Sequence, residues 1–437
     1  MRRAYSTLLL IAAVMPAALA AQGPAAPSGP LTLLQAIALG RKQGVSATVA
    51  LLNVRAADAR TAQRRADLLP SISGLAAFTR QTVNLDEFGI PVATGVTDPF
   101  NIWRVQLRAS QTIFDASAIT RLRAARDTAM AAGLDAQAIG EMSGATAGLA
   151  YLRALSADET VRAREADSTV AATLLDQARQ LVGAGVSPAI DETRSDVSFA
   201  AVRTQLEVAR NAADRARLDL LRALDLPPAT QLTLADSLGL GVLNVPLQPD
   251  QAASFAREHR AELAAERART GSVERTLKAI RFENLPSLGL SGSYQETGQQ
   301  TSTLAGSYDV QLALTVPILD GFRRQNRAKE AGARLEVQQL RERDLGNQVE
   351  TEARQSVLDL ASAQQQVAIA GDRLRLAETE LSQASERFRS GVAGSVETTN
   401  AQSSVIAARD ALIQARLNYG TARVSAYRAL GVIDQLQ

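Results

Sequence analysis

The sequence has no cysteine. Disulfides, thiol catalysis and thiolate metal sites are therefore excluded, and so is lipid attachment to an N-terminal cysteine. Histidine occurs once, as His259 within Arg257-Glu258-His259-Arg260. A serine–histidine–carboxylate triad would have to use it, and no nucleophile elbow is present. No P-loop occurs, and Gly239-Leu240-Gly241 lacks the third glycine and the preceding strand of a dinucleotide site. Four methionines and one histidine make no metal relay. Carboxylate pairs are plentiful, but they fall on long amphipathic segments, where they read as surface ion pairs. No catalytic residue, no cofactor and no metal site is predicted, and an enzymatic role is not expected.

Lysine is scarce, at Lys42, Lys278 and Lys329, and a net charge is nearly absent. The chain carries 47 basic and 45 acidic residues, a formal +2. Setting aside Arg2 and Arg3 leaves 45 against 45. The two signs are interleaved without a basic stripe, so no nucleic-acid partner is expected.

Long apolar runs are missing too. Leu8 to Val14 is too short to span a bilayer as a helix. It follows Arg2 and Arg3 and precedes the small-x-small site Ala18-Leu19-Ala20, so residues 1–20 read as a signal peptide and Ala21 as the start of the mature chain. Beyond residue 21 no stretch of 18 apolar residues occurs. Any membrane contact of the mature chain is therefore through a β-barrel or peripheral.

What is present is a duplication. Arg222-Ala-Leu-Asp-Leu226 matches Arg428-Ala-Leu-Gly-Val432, and Gly185-Val186-Ser187 matches Gly391-Val392-Ala393, both 206 residues apart. Asp191 meets Glu397 at the same offset. Val105-Gln106-Leu107 meets Val310-Gln311-Leu312, and Asp115 meets Asp320, at 205; Leu69-Pro70-Ser71-Ile72 meets Leu285-Pro286-Ser287-Leu288 at 216. The predicted organisation is a first repeat over 21–230, a linker over 231–246 and a second repeat over 247–437.

Within each repeat the period changes. Thr32 and Gln35 could form a capping box at the start of a first helix. Then Trp103, Val105, Leu107, Ala109 and Ile113 alternate with Arg104, Gln106, Arg108, Ser110 and Thr112. Tyr308, Val310, Leu312, Leu314 and Val316 alternate likewise with Ser307, Asp309, Gln311, Ala313 and Thr315. This period of two predicts β-hairpins over about 70–114 and 286–317, with strands long enough to cross an outer membrane when tilted. Long helical hairpins are predicted next, over about 117–226 and 322–433. Proline is absent from 119–182 and 323–389, each about 95–100 Å as helix. Leu360, Val367, Leu374, Leu381 and Phe388 recur every seven residues, with Ala363, Ala370, Ala377 and Ala384 between them. The returning helix repeats Ala401, Ala408, Ala415, Ala422 and Ala429 beside Val405, Leu412 and Tyr419. Such seams suit closely wound coiled coils. The first outgoing helix breaks the pattern with Arg164 and Ser168. Glycine turns at Gly185-Val186-Ser187 and Gly391-Val392-Ala393 make the hairpin tips, where glycine permits positive φ.

In order and duplicated, these segments resemble the TolC-type outer-membrane efflux proteins. Leu31-Thr32-Leu33-Leu34-Gln35-Ala36-Ile37 is similar to the family's opening motif, although Gly44-Val45 stands near where asparagine-proline is usual. Leu69-Pro70-Ser71 and Leu285-Pro286-Ser287 resemble its strand starts, and Val316-Pro317-Ile318-Leu319-Asp320-Gly321 its second strand exit. Arg387-Phe388-Arg389-Ser390-Gly391 and Glu397-Thr398-Thr399-Asn400-Ala401-Gln402 resemble its second tip. The resemblance implies a mainly α chain with a membrane β-barrel. Three copies would join as a homotrimer with a twelve-stranded barrel in outer-membrane lipid and a periplasmic helical tunnel. It also implies an exit duct that works with a periplasmic adaptor and an inner-membrane transporter. The tips Gly185, Val186, Ser187, Gly391, Val392 and Ala393 would dock the adaptor. A periplasmic gate would involve Asp191, Glu397, Phe388 and Asn400. Phe388 replaces a gate tyrosine and Ala393 a gate arginine, so a lock through those two side chains is not expected. A soluble periplasmic coiled-coil adaptor or stalk is the alternative; it leaves both amphipathic hairpins unexplained.

Overall fold

The computed structural model describes residues 29–85, 95–238 and 248–436. The expected signal peptide and residues 239–246 of the linker lie outside the described residues.

The repeat is visible in element lengths. The first copy runs α1 (Leu33–Gln43), α2 (Val45–Ala66), β1 (Ser71–Gln81), β2 (Phe100–Phe114), α3 (Ala116–Gly183) and α4 (Ala189–Ala223). The second runs α5 (Pro249–His259), α6 (Ala261–Phe282), β3 (Ser287–Gly298), β4 (Ala305–Thr315), α7 (Arg323–Arg389) and α8 (Ser395–Ala429). Corresponding helices hold 11 and 11, 22 and 22, 68 and 67, and 35 and 35 residues. The Thr32–Gln35 capping box closes at the start of α1, and Asp115 caps α3 by accepting from the Ala118 N–H.

The outgoing helices α3 and α7 are about 100 Å long and the returning ones only about half that. The returning helices α4 and α8 pack on the tip-proximal half of the outgoing pair, and α2 and α6 pack on the strand-proximal half. Along the returning helices the lateral order is α4, α3, α8, α7, with the start of α4 meeting the start of α8 at the tips; near the strands it is α2, α3, α6, α7. One flank of the chain is therefore always α2 or α4, and the other is always α7.

The largest core lies at mid-height, where the short helices meet the long ones. Leu31, Tyr151, Leu155, Leu220, Leu224, Val349, Tyr427 and Leu430 are all buried there. The start of the linker is bound into it. Leu31 bridges Leu234 in parallel, and the Tyr151 hydroxyl lies 2.9 Å from both the Leu31 carbonyl and an Asp236 carboxylate oxygen. Burial pushes the Tyr151 phenol above its ordinary range. Further down, burial along α7 follows the seam: Val349, Ala353, Leu360, Ala363, Val367, Ala370, Ala377, Ala384 and Phe388 are buried at spacings of three, four and seven. Ala401, Val405, Ala408, Ala415 and Tyr419 face them from α8.

Candidate functional site

The four strands form one antiparallel sheet in the order β1-β2-β3-β4, so the two hairpins join through β2 and β3. The register decides what this sheet can do. One row across it reads Gly74, Leu107, Tyr294, Tyr308; the next on the same face reads Ile72, Ala109, Gly292, Val310. Phe78 opposes Trp103 with ring centroids 4.7 Å apart. The opposite face reads Ser73, Arg108, Ser293, Asp309 in one row and Leu75, Gln106, Gln295, Ser307 in another. Most of the large apolar residues of both hairpins therefore share one face, with Leu75 and Ile102 on the other. They are not covered by the rest of the chain: Tyr308 is 82% exposed, Val310 73% and Leu312 67%. The register slips between Thr112 and Phe114, and Ile113 lies at that irregularity rather than continuing the alternation. Among the described residues β1 and β4 are each paired on one side only. No described helix is long and apolar enough to cross a membrane.

At the far end the two tips fold alike. Val186 donates to the Leu181 carbonyl and Gly185 to that of Val182; Val392 donates to Arg387 and Gly391 to Phe388. Gly185 has φ 71° and Gly391 φ 69°, which only glycine adopts without strain. A Cβ on Gly391 would lie 3.3 Å from Val186 Cγ1, so the two tips touch. Val186 and Val392 are exposed.

The four candidate gate residues separate into two pairs. Asp191, in the first turn of α4, is buried; it accepts a hydrogen bond from the Ser395 hydroxyl at 2.6 Å and has Arg194 at 3.8 Å. Phe388, at the end of α7, is buried. Glu397 and Asn400 are exposed, and Glu397 pairs with Arg387 at 3.1 Å. Asp191 and Phe388 thus hold the protomer together, while Glu397 and Asn400 stand on its surface.

The break in the first seam marks a polar cluster that heptad counting alone does not assemble. Arg164 is buried and donates to Asp167 at 3.0 Å and to Asp410 at 2.5 Å. Arg409 also pairs with Asp167 and lies 3.6 Å from Glu378. The cluster ties α3 to α8, the two hairpins of one chain. Burial raises the pKa of Asp167, against the pull of Arg409 and Arg164. The irregular seam at Arg164 was the only signal of it in the sequence. Its partners come from the other repeat, more than 240 residues away. His259 takes no part in any of these sites; it is exposed and stacks on Phe255.

Comparison with known proteins points the same way. The family model described as "Outer membrane efflux protein" matches residues 41–225 and again 252–432, once per repeat. Protein CyaE of Bordetella pertussis is 27% identical over 328 residues, covering 70% of this chain and 64% of CyaE. The chain therefore spans just under two thirds of that relative's length. Among solved structures, the outer-membrane channel OprN superposes with a TM-score of 0.79 at 19% identity, over 91% of this chain and 89% of OprN. The CmeC outer membrane channel of Campylobacter jejuni superposes with a TM-score of 0.80 at 15% identity, over 92% of this chain and 86% of CmeC. At such identities the likeness establishes the fold.

Proposed function

The chain belongs to the outer membrane efflux protein family, and from that membership we propose that it is the outer-membrane exit duct of a tripartite efflux or secretion system. In this reading it is a passive conduit and not an enzyme. Cargo reaches it from an inner-membrane transporter through a periplasmic adaptor that meets the tips.

The observation that carries the proposal is the sheet. A soluble protein does not leave an apolar face of this extent open to water. In lipid that face is satisfied, but the free backbone groups along β1 and β4 are not. The remedy is closure by further copies. The β1 edge lies on the α2/α4 flank and the β4 edge on the α7 flank. Joining these unlike flanks is a head-to-tail contact, which makes a ring when the rotation between copies closes. Three copies would give twelve strands, with the polar faces lining a lumen and the helices continuing it as a periplasmic tunnel. A soluble adaptor or stalk would use the long helices equally well but gives the apolar sheet nothing to rest on.

The test is fractionation followed by planar-bilayer recording of the detergent-extracted protein. The proposal expects the protein in the outer-membrane fraction and discrete conductance steps. Recovery in the soluble periplasm, with no conductance, would support the adaptor reading instead.

A further inference from the structure

The inward face of the sheet is uneven in charge. Arg104 and Arg108 stand in its rows, as Ala77-Arg104-Thr297-Ala305 and Ser73-Arg108-Ser293-Asp309. Asp309 is the one acid in the inward strand rows, and it accepts a hydrogen bond from Ser293 at 2.5 Å. Both arginines are exposed, and among the described residues neither forms an ion pair. The other charged strand residues, Arg80 and Glu296, belong to the rows of the apolar face, near the loop ends of their strands. Around the arginines the inward face offers hydroxyls and amides: Ser73, Gln106, Ser110, Ser291, Gln295 and Gln311.

We infer that the barrel lumen is an anion-attracting filter, formed by two tiers of arginine, which favours anionic cargo and holds multivalent anions entering from outside. The inference rests on the duct reading above. Three copies place three Arg104 and three Arg108 around one axis against three Asp309. The tiers are four residues apart on β2, about 13 Å along the strand. Twelve strands about 4.8 Å apart make a wall about 58 Å round before tilt, hence a radius on the order of 10 Å. Guanidinium groups standing off that wall lie within one screening length of the axis, about 8 Å at physiological ionic strength. Their fields therefore overlap in the lumen instead of being screened separately. Guanidinium is also the cation whose donors match phosphate, sulfate and carboxylate oxygens in pairs. Rings of basic side chains select anions in pores by the same electrostatics.

The experiment is single-channel recording with inorganic tripolyphosphate added to the barrel side. Wild-type channels should be blocked, and more weakly as salt is raised. The Arg104→Gln, Arg108→Gln double variant, recorded on isolated oligomers, should raise the half-blocking concentration at least about tenfold. The Arg104→Lys, Arg108→Lys variant should retain most of the block, which separates charge from packing. Equal block in the wild type and the glutamine variant would overturn the inference, as would conducting wild-type channels that tripolyphosphate does not block. Absence of any conductance would overturn the duct reading itself, a distinguishable result.

Discussion

Ser395 donates a hydrogen bond to Asp191 at 2.6 Å, joining the first turns of the two returning helices α4 and α8. The repeat partner of Asp191 is Glu397, which is exposed and pairs with Arg387 instead. One carboxylate of the duplicated pair clasps the two hairpins of a protomer, and the other stands on the surface beside Arg387.

That division changes what substitution at the tips should do. Asp191→Ala leaves a buried hydroxyl unpaired, costing about 1–3 kcal/mol, and removes the link between the first turns of the two returning helices. Single channels of Asp191→Ala and Ser395→Ala should open wider or more often than wild type. Wild-type conductance and gating in both variants would show that the clasp does not hold the tip closed.

Glu397 should act differently. In the proposed trimer three exposed copies, each beside its own Arg387, would stand near one axis and attract cations, as acidic rings do in cation-selective pores. Glu397→Ala should weaken block by a trivalent cation applied from the periplasmic side. Adding Asp191→Ala should not weaken it further through lost charge, because Asp191 faces α8. Block that survives Glu397→Ala but disappears with Asp191→Ala would reverse these assignments.

Glu141 on α3 is buried, and burial raises its pKa against the Gln137 amide, which donates to it at 3.0 Å, and against Arg41. A carboxyl whose folded pKa is raised contributes most below its unfolded pKa, and the contribution is lost as pH rises through the folded value. Glu141→Gln removes the charge that burial penalises. The variant should melt higher than wild type at neutral pH, with the gain disappearing as pH falls below the ordinary glutamate range. A gain independent of pH would show that charge is not its cause.

The upper ends of the returning helices make another matched pair. Gly431 has φ 76°, and a Cβ there would lie 2.8 Å from the His259 carbonyl oxygen. Asp225 holds the corresponding place in the first repeat with φ 56°. Gly431→Ala combines left-handed strain with a backbone clash and should cost more than about 1 kcal/mol. Asp225→Gly relieves the same strain and should be neutral or stabilising. Thermal melting of the two variants checks the pair; equal losses would mean the clash at His259 is absent.

The duplicated plan was legible in the sequence because it rests on local periods. Alternation at 103–113 and 308–316 marks strands, and sevens from Leu360 to Phe388 mark a buried seam. The division of labour between Asp191 and Glu397 was not legible. Both are acids at helix starts, and only the packing of α4 against α8 places Ser395 beside one of them. The Arg164 cluster and the Tyr151–Asp236 tie were hidden for the same reason: their partners lie in other elements, with no periodic trace. The shared apolar face of the sheet needed the pairing of β2 with β3, which joins strands on either side of four helices.

The central claim is that this chain cannot complete its membrane sheet alone. Native mass measurement of the detergent-purified protein tests it most directly. The account predicts a single species of three chains that persists on dilution. A stable monomer would contradict it.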